Sequence, residues 1–139
     1  MKRIYLSDQD LTEIPDNINK DIETLHLDNN KIQDLTPLKD LKNLKTLWLY
    51  NNQIQDLTPL KDLKNLKILW LHNNQIKDLT PLKDLKDLKY LWVYDNPDLY
   101  IIENSDEYRF IENIDYNDLN KLKIAPDTKL SRLLFRGKL

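Results

Sequence analysis

Three tryptophans, Trp48, Trp70 and Trp92, are the only indoles in the chain, and each follows the last by 22 residues. A row of indoles can stack on planar ligands, stack on itself, or pack against apolar side chains of another protein. Around the row stand Tyr50, Ile68, His72, Tyr90 and Tyr94, and just before it in each unit come Lys45, Lys67 and Lys89. Rings with flanking lysines are also how single-stranded nucleic acid is gripped, and the same ladder could stack on a glycan. Other chemistry is poorly served. The two histidines, His26 and His72, fall in different phases of the repeat two units apart, and there is no cysteine to join them in a metal site. The single glycine, Gly137, leaves no phosphate-binding loop. Asp34, Asp56 and Asp78 form a repeated carboxylate column that reads as turn hydrogen bonding. No catalytic residue, metal or cofactor is expected.

The elements that must position these residues are near copies of one another. Residues 44–65 read LKTLWLYNNQIQDLTPLKDLKN and residues 66–87 read LKILWLHNNQIKDLTPLKDLKD, differing at four positions. The preceding unit, 22–43, is IETLHLDNNKIQDLTPLKDLKN. A fixed period of this length implies a solenoid in which each unit buries its apolar face against the next. Ile22, Leu25, Leu27, Asn30, Ile32 and Leu35 mark the pattern L-x-x-L-x-L-x-x-N-x-I-x-x-L, repeated from Leu44 and from Leu66. The L-x-L alternation sends Leu25 and Leu27 inward and His26 outward. The asparagines fall in line as a buried ladder, whose amides must bond to the backbone of their own and the adjacent turn. Asp34-Leu35-Thr36-Pro37-Leu38 then starts a helical turn, with Thr36 as N-cap and Pro37 at the first helical position. Leu38 and Leu41 face inward, and Lys39, Asp40 and Lys42 face water.

The spacing resembles the leucine-rich repeat in its 22-residue form with a D-L-T-P-L segment, as in internalins and the protein-phosphatase regulatory subunits that share it. The fold class expected is an α/β solenoid: a leucine-rich-repeat arc with a concave parallel β-sheet, short helical turns on the convex side and a helical C-terminal cap. The resemblance further implies a protein-recognition module.

The chain of 139 residues reads as a single leucine-rich-repeat domain over 1–139, with a diverged N-terminal repeat at 1–21, regular repeats at 22–99 and a cap at 100–139. Charged residues are 32% and nearly cancel to a net −2, which argues against a duplex-DNA binder. No apolar run approaches the roughly 20 residues of a membrane span. The N-terminus enters a strand pattern at once, so no signal peptide is read, and a cytoplasmic protein is expected, with a processed exported fragment as the alternative.

In the first unit Ile4, Leu6, Leu11, Ile14 and Ile18 hold repeat positions, with Gln9 where asparagine would stand. Its strand edge is read as open, blunted by Lys2 and Arg3, which makes the chain a monomer or a weak homodimer through that edge. At the other end Asn104 to Glu107 resembles a capping box, and Tyr108, Ile111 and Ile114 continue it as a helix near 105–116. Leu122 to Ile124 suggest a further strand, and Leu130, Leu133 and Leu134 a closing helix that stops at Gly137. The stretch from Tyr108 to Leu122 resembles the cap of nuclear leucine-rich proteins of the spliceosomal A-prime type. The basic tail, Lys129, Arg132, Arg136 and Lys138, reads as a solvated helix face.

Within the chain the D-L-T-P-L-K-D-L-K segment is held constant while the outward strand positions vary. A constant frame with a varied outer face is expected of a scaffold presenting a surface. The reading is a non-catalytic module that binds a partner protein, of unidentified nature, on the concave aromatic face through Trp48, Trp70, Trp92, Tyr50, His72, Tyr94, Tyr90 and Ile68. Recognition of single-stranded nucleic acid or a glycan by the same ladder, and structural self-association, are the other readings.

Overall fold

The computed structural model describes residues 2–97 and 99, and the backbone of 113–115. Six strands of three residues each lie side by side in chain order: β1 (Arg3–Tyr5), β2 (Thr24–His26), β3 (Thr46–Trp48), β4 (Ile68–Trp70), β5 (Tyr90–Trp92) and β6 (Asn113–Asp115). Every pair is parallel, and Leu25, Leu47, Leu69 and Leu91 are register partners of one another along the sheet. Each strand is too short to be stable alone. It persists because each turn of chain stacks directly on the one before, as the repeat period requires.

One face of the sheet is the core. Leu25, Leu47, Leu69 and Leu91 are fully buried there, with Leu27, Leu49, Leu71 and Val93 two residues on. Leu35, Leu38 and Leu41 close the far side of the first full turn, and their counterparts at 57, 60, 63 and 79, 82, 85 close the next two. Single 3₁₀ turns at Thr36–Leu38, Thr58–Leu60 and Thr80–Leu82 bring the chain back from the core to the next strand. Lys39, Asp40 and Lys42 are exposed on that outer side, as the pattern requires.

The start of the turn differs by one residue from expectation. The cap position is Leu35, and Thr36 is already inside the turn, with Pro37 following it. The capping oxygen comes from Asp34: its Oδ1 accepts from the Thr36 backbone N–H at 2.8 Å and from the Thr36 hydroxyl at 2.6 Å. Asp56 and Asp78 repeat both bonds with Thr58 and Thr80. A carboxylate two residues back from a threonine can reach both donors at once, which the threonine hydroxyl cannot do for itself. The aspartate column is therefore part of the frame.

The buried asparagines make the expected ladder. Asn52 Nδ2 donates to the carbonyls of Leu49 in its own turn and Leu27 in the preceding one, at 3.1 and 3.0 Å, and its Oδ1 accepts from the Ile32 N–H at 3.0 Å. Asn74 does the same with Leu71, Leu49 and Ile54, and Asn96 with Val93, Leu71 and Ile76. Asn30 begins the series, accepting from both Gln9 and Leu11 of the first unit. The residue before each ladder asparagine takes a left-handed backbone, with φ of 56° at Asn29, 54° at Asn51 and 55° at Asn73. Asparagine is among the few residues other than glycine that enter this region at low cost. That lets the chain turn sharply after β2, β3 and β4 without glycine, and Asp8 and Asp95 take the same conformation after β1 and β5, with φ of 57° and 54°.

At the C-terminal side β6 corrects the sequence reading. Residues 113–115 were expected in the last turn of a helix over 105–116, and they are a strand, with Ile114 in register with Leu91. The step from Leu91 to Ile114 is 23 residues, one more than the regular period, and Ile111, Ile114 and Tyr116 keep the L-x-x-L-x-L spacing. The apolar spacing of 3 from Ile111 to Ile114 serves a helix and this repeat equally, so periodicity alone did not separate them. The rest of that helix, the strand expected at Leu122–Ile124 and the closing helix lie outside the described residues.

Truncating the middle of this core should be costly, since Leu69 is held between identical leucines on both sides. Leu69→Ala is expected to lose about 2–5 kcal/mol. Asn74→Ala is expected to destabilise as well, because it strips bonds from backbone groups of two turns at once. Denaturant melts of both variants check this, and values within about 0.5 kcal/mol of the parent, the usual range for surface substitutions, would refute the ladder argument.

Candidate functional site

Side chains of the three-residue strands that do not enter the core stand on the opposite sheet face, where period-two alternation puts them. The middle column there is Tyr5, His26, Trp48, Trp70, Trp92, set in register by the pairing of their strands. Their rings form one continuous column, stacked at every step except His26 to Trp48, where the planes are tilted by 47°. Centroid separations run 4.6 Å from Tyr5 to His26, 4.3 Å to Trp48, 5.1 Å to Trp70 and 3.9 Å to Trp92. The last pair is almost parallel, with 16° between the ring planes. None of the three indoles is in the core, and each is half-buried by its neighbours.

A second stack runs beside the first. His72 lies between Tyr50 and Tyr94, 4.5 Å from each and tilted by 7° and 16°. This sandwich leaves His72 only 7% exposed although it lies on the outer face. Trp70 is within 6.3 Å of Tyr50 and 5.9 Å of His72, so the two stacks lean on each other. On the other side of the indoles Ile68 is half-buried, and its register partner Tyr90 is 39% exposed. All eight residues expected to contact a partner are thus brought onto one face, across β3, β4 and β5 and the residues just beyond them.

The stacking has a consequence for which ring surfaces are accessible. The faces of Trp48 and Trp70 are covered by their neighbours, and their Nε1–H groups are buried without a hydrogen-bond acceptor. A buried unmade hydrogen bond costs on the order of 1–3 kcal/mol. The rings tolerate it because contact along the stack returns about 0.5–1.5 kcal/mol per pair beyond the area they bury. What the stack presents outward is a strip of ring edges, flanked by Ile68 and by the exposed ring of Tyr90.

Asp28 was not singled out from sequence, and it organises the N-terminal end of the face. It is only 4% exposed and accepts a hydrogen bond from the Ser7 hydroxyl at 2.7 Å and one from Asn29 Nδ2 at 3.2 Å. The Nδ1 of His26 lies 3.9 Å from the same carboxylate. Tyr50 is hydrogen-bonded to Asp28 too, and burial first, then this carboxylate, push its phenol above the usual value. Serine, histidine and aspartate are therefore neighbours without forming a nucleophilic relay, since the Ser7 hydroxyl donates its hydrogen bond to Asp28 and a relay needs it donated to the imidazole. The available signal was an acid standing in a column that carries rings at Tyr50, His72 and Tyr94.

Along the edge where the strands begin, Glu23, Lys45, Lys67 and Lys89 are stacked in phase. The N–H of each lysine donates to the carbonyl of the residue before it in the column, at 2.8 to 2.9 Å. Lys45 Nζ meets the Glu23 carboxylate at 3.3 Å. Lys67 and Lys89 are exposed and make no ion pair among the described residues.

The sequence matches the family Leucine Rich repeats (2 copies) over residues 20–62, 42–84 and 64–104, more than half of the chain, and the chain belongs to that family. Among solved structures it is similar to internalin C2 of Listeria monocytogenes, with 28% identity and a TM-score of 0.67 over 84% of this chain and 61% of that one. It shares the fold of a second Listeria monocytogenes internalin, inlF, at 21% identity and a TM-score of 0.57, covering 82% of this chain and 47% of that one. The chain thus spans about half to three-fifths of the length of these internalins. The search of curated proteins finds no match. A leucine-rich-repeat arc of this kind is in general a protein–protein interaction framework. Among the described residues no helix is long and apolar enough to cross a membrane.

Two titrations test the geometry. Burial first, opposed by Asp28 and aided by Arg3, holds the His26 imidazole below its ordinary value of 6.5. A depressed histidine favours the neutral form in the folded state, so its contribution to stability is present above 6.5 and is lost as pH falls through the folded value. An imidazole NMR titration should give His26 a midpoint below 6.5, and a midpoint above it would mean that Asp28 dominates. The Thr36 and Thr58 hydroxyls first, then their N–H groups, hold Asp34 and Asp56 below 3.8. Their contribution is present above 3.8 and lost as pH drops further, so Asp56→Asn should reduce the acid-induced fall in Tm relative to the parent.

Proposed function

We propose that this chain is a non-catalytic protein-recognition module whose partner docks on the aromatic sheet face. The observation that carries the reading is the placement of three indoles, outside the core, in one continuous stack flanked by Tyr50, Tyr90, Tyr94, His72 and Ile68. The core of the repeat does not need them, since Leu47, Leu69 and Leu91 on the same strands already fill it. A contiguous apolar strip on an outer face marks an interaction site, and tryptophan and tyrosine are the residues that carry interface energy. Family membership favours the same class of function, because the arc is a scaffold for varied outward positions.

The covered ring faces favour a protein over a nucleic acid or a glycan. Bases and sugars are bound by laying a planar or apolar face on an open ring. Here Trp70 is already stacked with Trp92 at 3.9 Å and His72 is closed between two tyrosines. A strip of ring edges instead suits aliphatic and aromatic side chains of a protein, which pack in any orientation.

Trp70 stands in the centre of the strip, and central, well-surrounded aromatics dominate binding. Trp70→Ala is expected to weaken partner binding by about 2 kcal/mol or more. Stability should fall by only about 1 kcal/mol, the stacking lost. The check is a thermal melt paired with cross-linking capture from cell extract by the parent and by Trp70→Ala, with an oligonucleotide pool and a glycan array alongside. Unfolding of the variant would make Trp70 a core residue. A folded variant that captures everything the parent does would remove the sheet face as the site, and binding confined to oligonucleotides or glycans would replace the protein partner.

A further inference from the structure

We infer that β1 is a self-association edge, along which two copies of this chain pair antiparallel about a two-fold axis through Ile4. That pairing seats the Arg3 guanidinium of each copy on the Tyr5 ring of the other. Among the described residues β1 pairs with β2 on one side and with no strand on the other. The phase of its backbone selects the register. The Lys2 carbonyl accepts from the N–H groups of Glu23 and Thr24, and the Leu6 N–H donates to the His26 carbonyl. The even-numbered residues thus turn their polar groups toward β2, and Arg3 and Tyr5 turn theirs to the outer side. An antiparallel strand meets such an edge in hydrogen-bonded pairs. With the axis at Ile4 those pairs are Arg3 with Tyr5 and Tyr5 with Arg3, the reciprocity a two-fold interface requires.

The side chains of the strand fit a second copy of itself. Arg3 and Tyr5 are exposed, and Ile4 between them is partly buried on the core side. Antiparallel pairing sets the cation of one copy directly opposite the ring of the other on the same face, twice. Tyr5 also ends the aromatic column. One face of its ring is stacked on His26 at 4.6 Å, and the residue is still 59% exposed. The second ring face is offered at the edge, where a guanidinium lying over it gains a cation–π contact. Behind the strand, Ile4, Leu6 and Leu11 are only partly buried, whereas Leu25, Leu27 and Ile32 one turn on are fully buried. Setting Ile4 against its own counterpart removes apolar surface from water. The charge of Lys2 does not oppose the pairing, because its Nζ is held at 3.1 Å by Asp21, in the chain leading into β2.

The test is analytical sedimentation of the full chain from micromolar to high-micromolar concentration, with a melt of every variant alongside. The parent is expected to show a monomer–dimer equilibrium. Arg3→Gln and Tyr5→Ser are each expected to weaken the dimer about tenfold, as two exposed cation–π contacts provide, and Arg3→Lys by less. Register is read separately by disulfide trapping, which a chain without cysteine allows. Ile4→Cys brings two thiols together across the axis, with Cα atoms about 4.5 Å apart, and mild oxidation should yield a covalent dimer. Leu6→Cys holds them about 14 Å apart along the strands and should yield none. A parent that stays monomeric at high micromolar concentration overturns the proposal. So does a dimer that Arg3→Gln and Tyr5→Ser leave unchanged, or one that Trp70→Ala abolishes, which would lie on the aromatic face instead. Failure of Ile4→Cys to trap, or trapping of Leu6→Cys in its place, overturns the register.

Discussion

A primary amide buried in an apolar interior must use its two donors and its acceptor, and in this chain the ladder asparagines do so on the backbone of two turns at once. Asn52 holds the carbonyls of Leu49 and Leu27 and the N–H of Ile32, and Asn74 and Asn96 repeat the arrangement. The consequence is a fixed rise from turn to turn. Strands only three residues long have little ladder hydrogen bonding of their own, so the register of the sheet depends on these amides and on the leucines packed beneath them. Once the register is set, every outward residue is placed opposite its counterpart in the next unit. The stacked rings of the outer face follow from a polar interaction on the far side of the backbone.

That division of labour explains why the same architecture can carry a face with few rules. The inward apolar positions are leucine, isoleucine or valine, almost completely buried from Ile22 onward and partly buried at Ile4, Leu6, Leu11 and Ile18 of the first unit. The outward positions run from tyrosine and histidine to tryptophan along one column, and from serine and aspartate to tyrosine and histidine along the next. Planar rings in adjacent parallel strands are held at close to stacking distance by the strand spacing itself. The repeat geometry therefore favours aromatic stacks, and it sandwiches His26 and His72 between rings without asking anything of the core.

The polar groups of the face are arranged with the same economy. Asp28 gathers Ser7, Asn29 and Tyr50 at one end, and the amides of Asn29, Asn51 and Asn73 chain together along the rim where the strands end. These groups satisfy one another. On the other rim Lys2 pairs with Asp21 and Lys45 with Glu23. Leucine-rich-repeat membership alone says nothing about these pairings, since the family is defined by the frame and they come from residues the frame leaves open.

The sequence by itself determined what depends on period and phase. The 22-residue spacing assigned the strands, the inward leucines, the asparagine ladder and the columns of outward residues, because each follows from alternation and from burial of apolar groups. Only the tertiary structure decided what depends on reach and rotamer. It gave the turn cap to Asp34, since that carboxylate spans two donors of Thr36. It gave the left-handed turn to Asn29, Asn51 and Asn73, a role that adjacent asparagines in the sequence do not distinguish from the ladder role. It placed β6 at 113–115, where an apolar spacing of 3 suits helix and repeat alike and only pairing with β5 separates them. It closed the indole faces on one another and left their edges outward, an outcome set by side-chain torsions that residue types do not encode. Phase is a property of one chain direction and can be read along it; the orientation of a ring depends on neighbours 22 residues away in both directions.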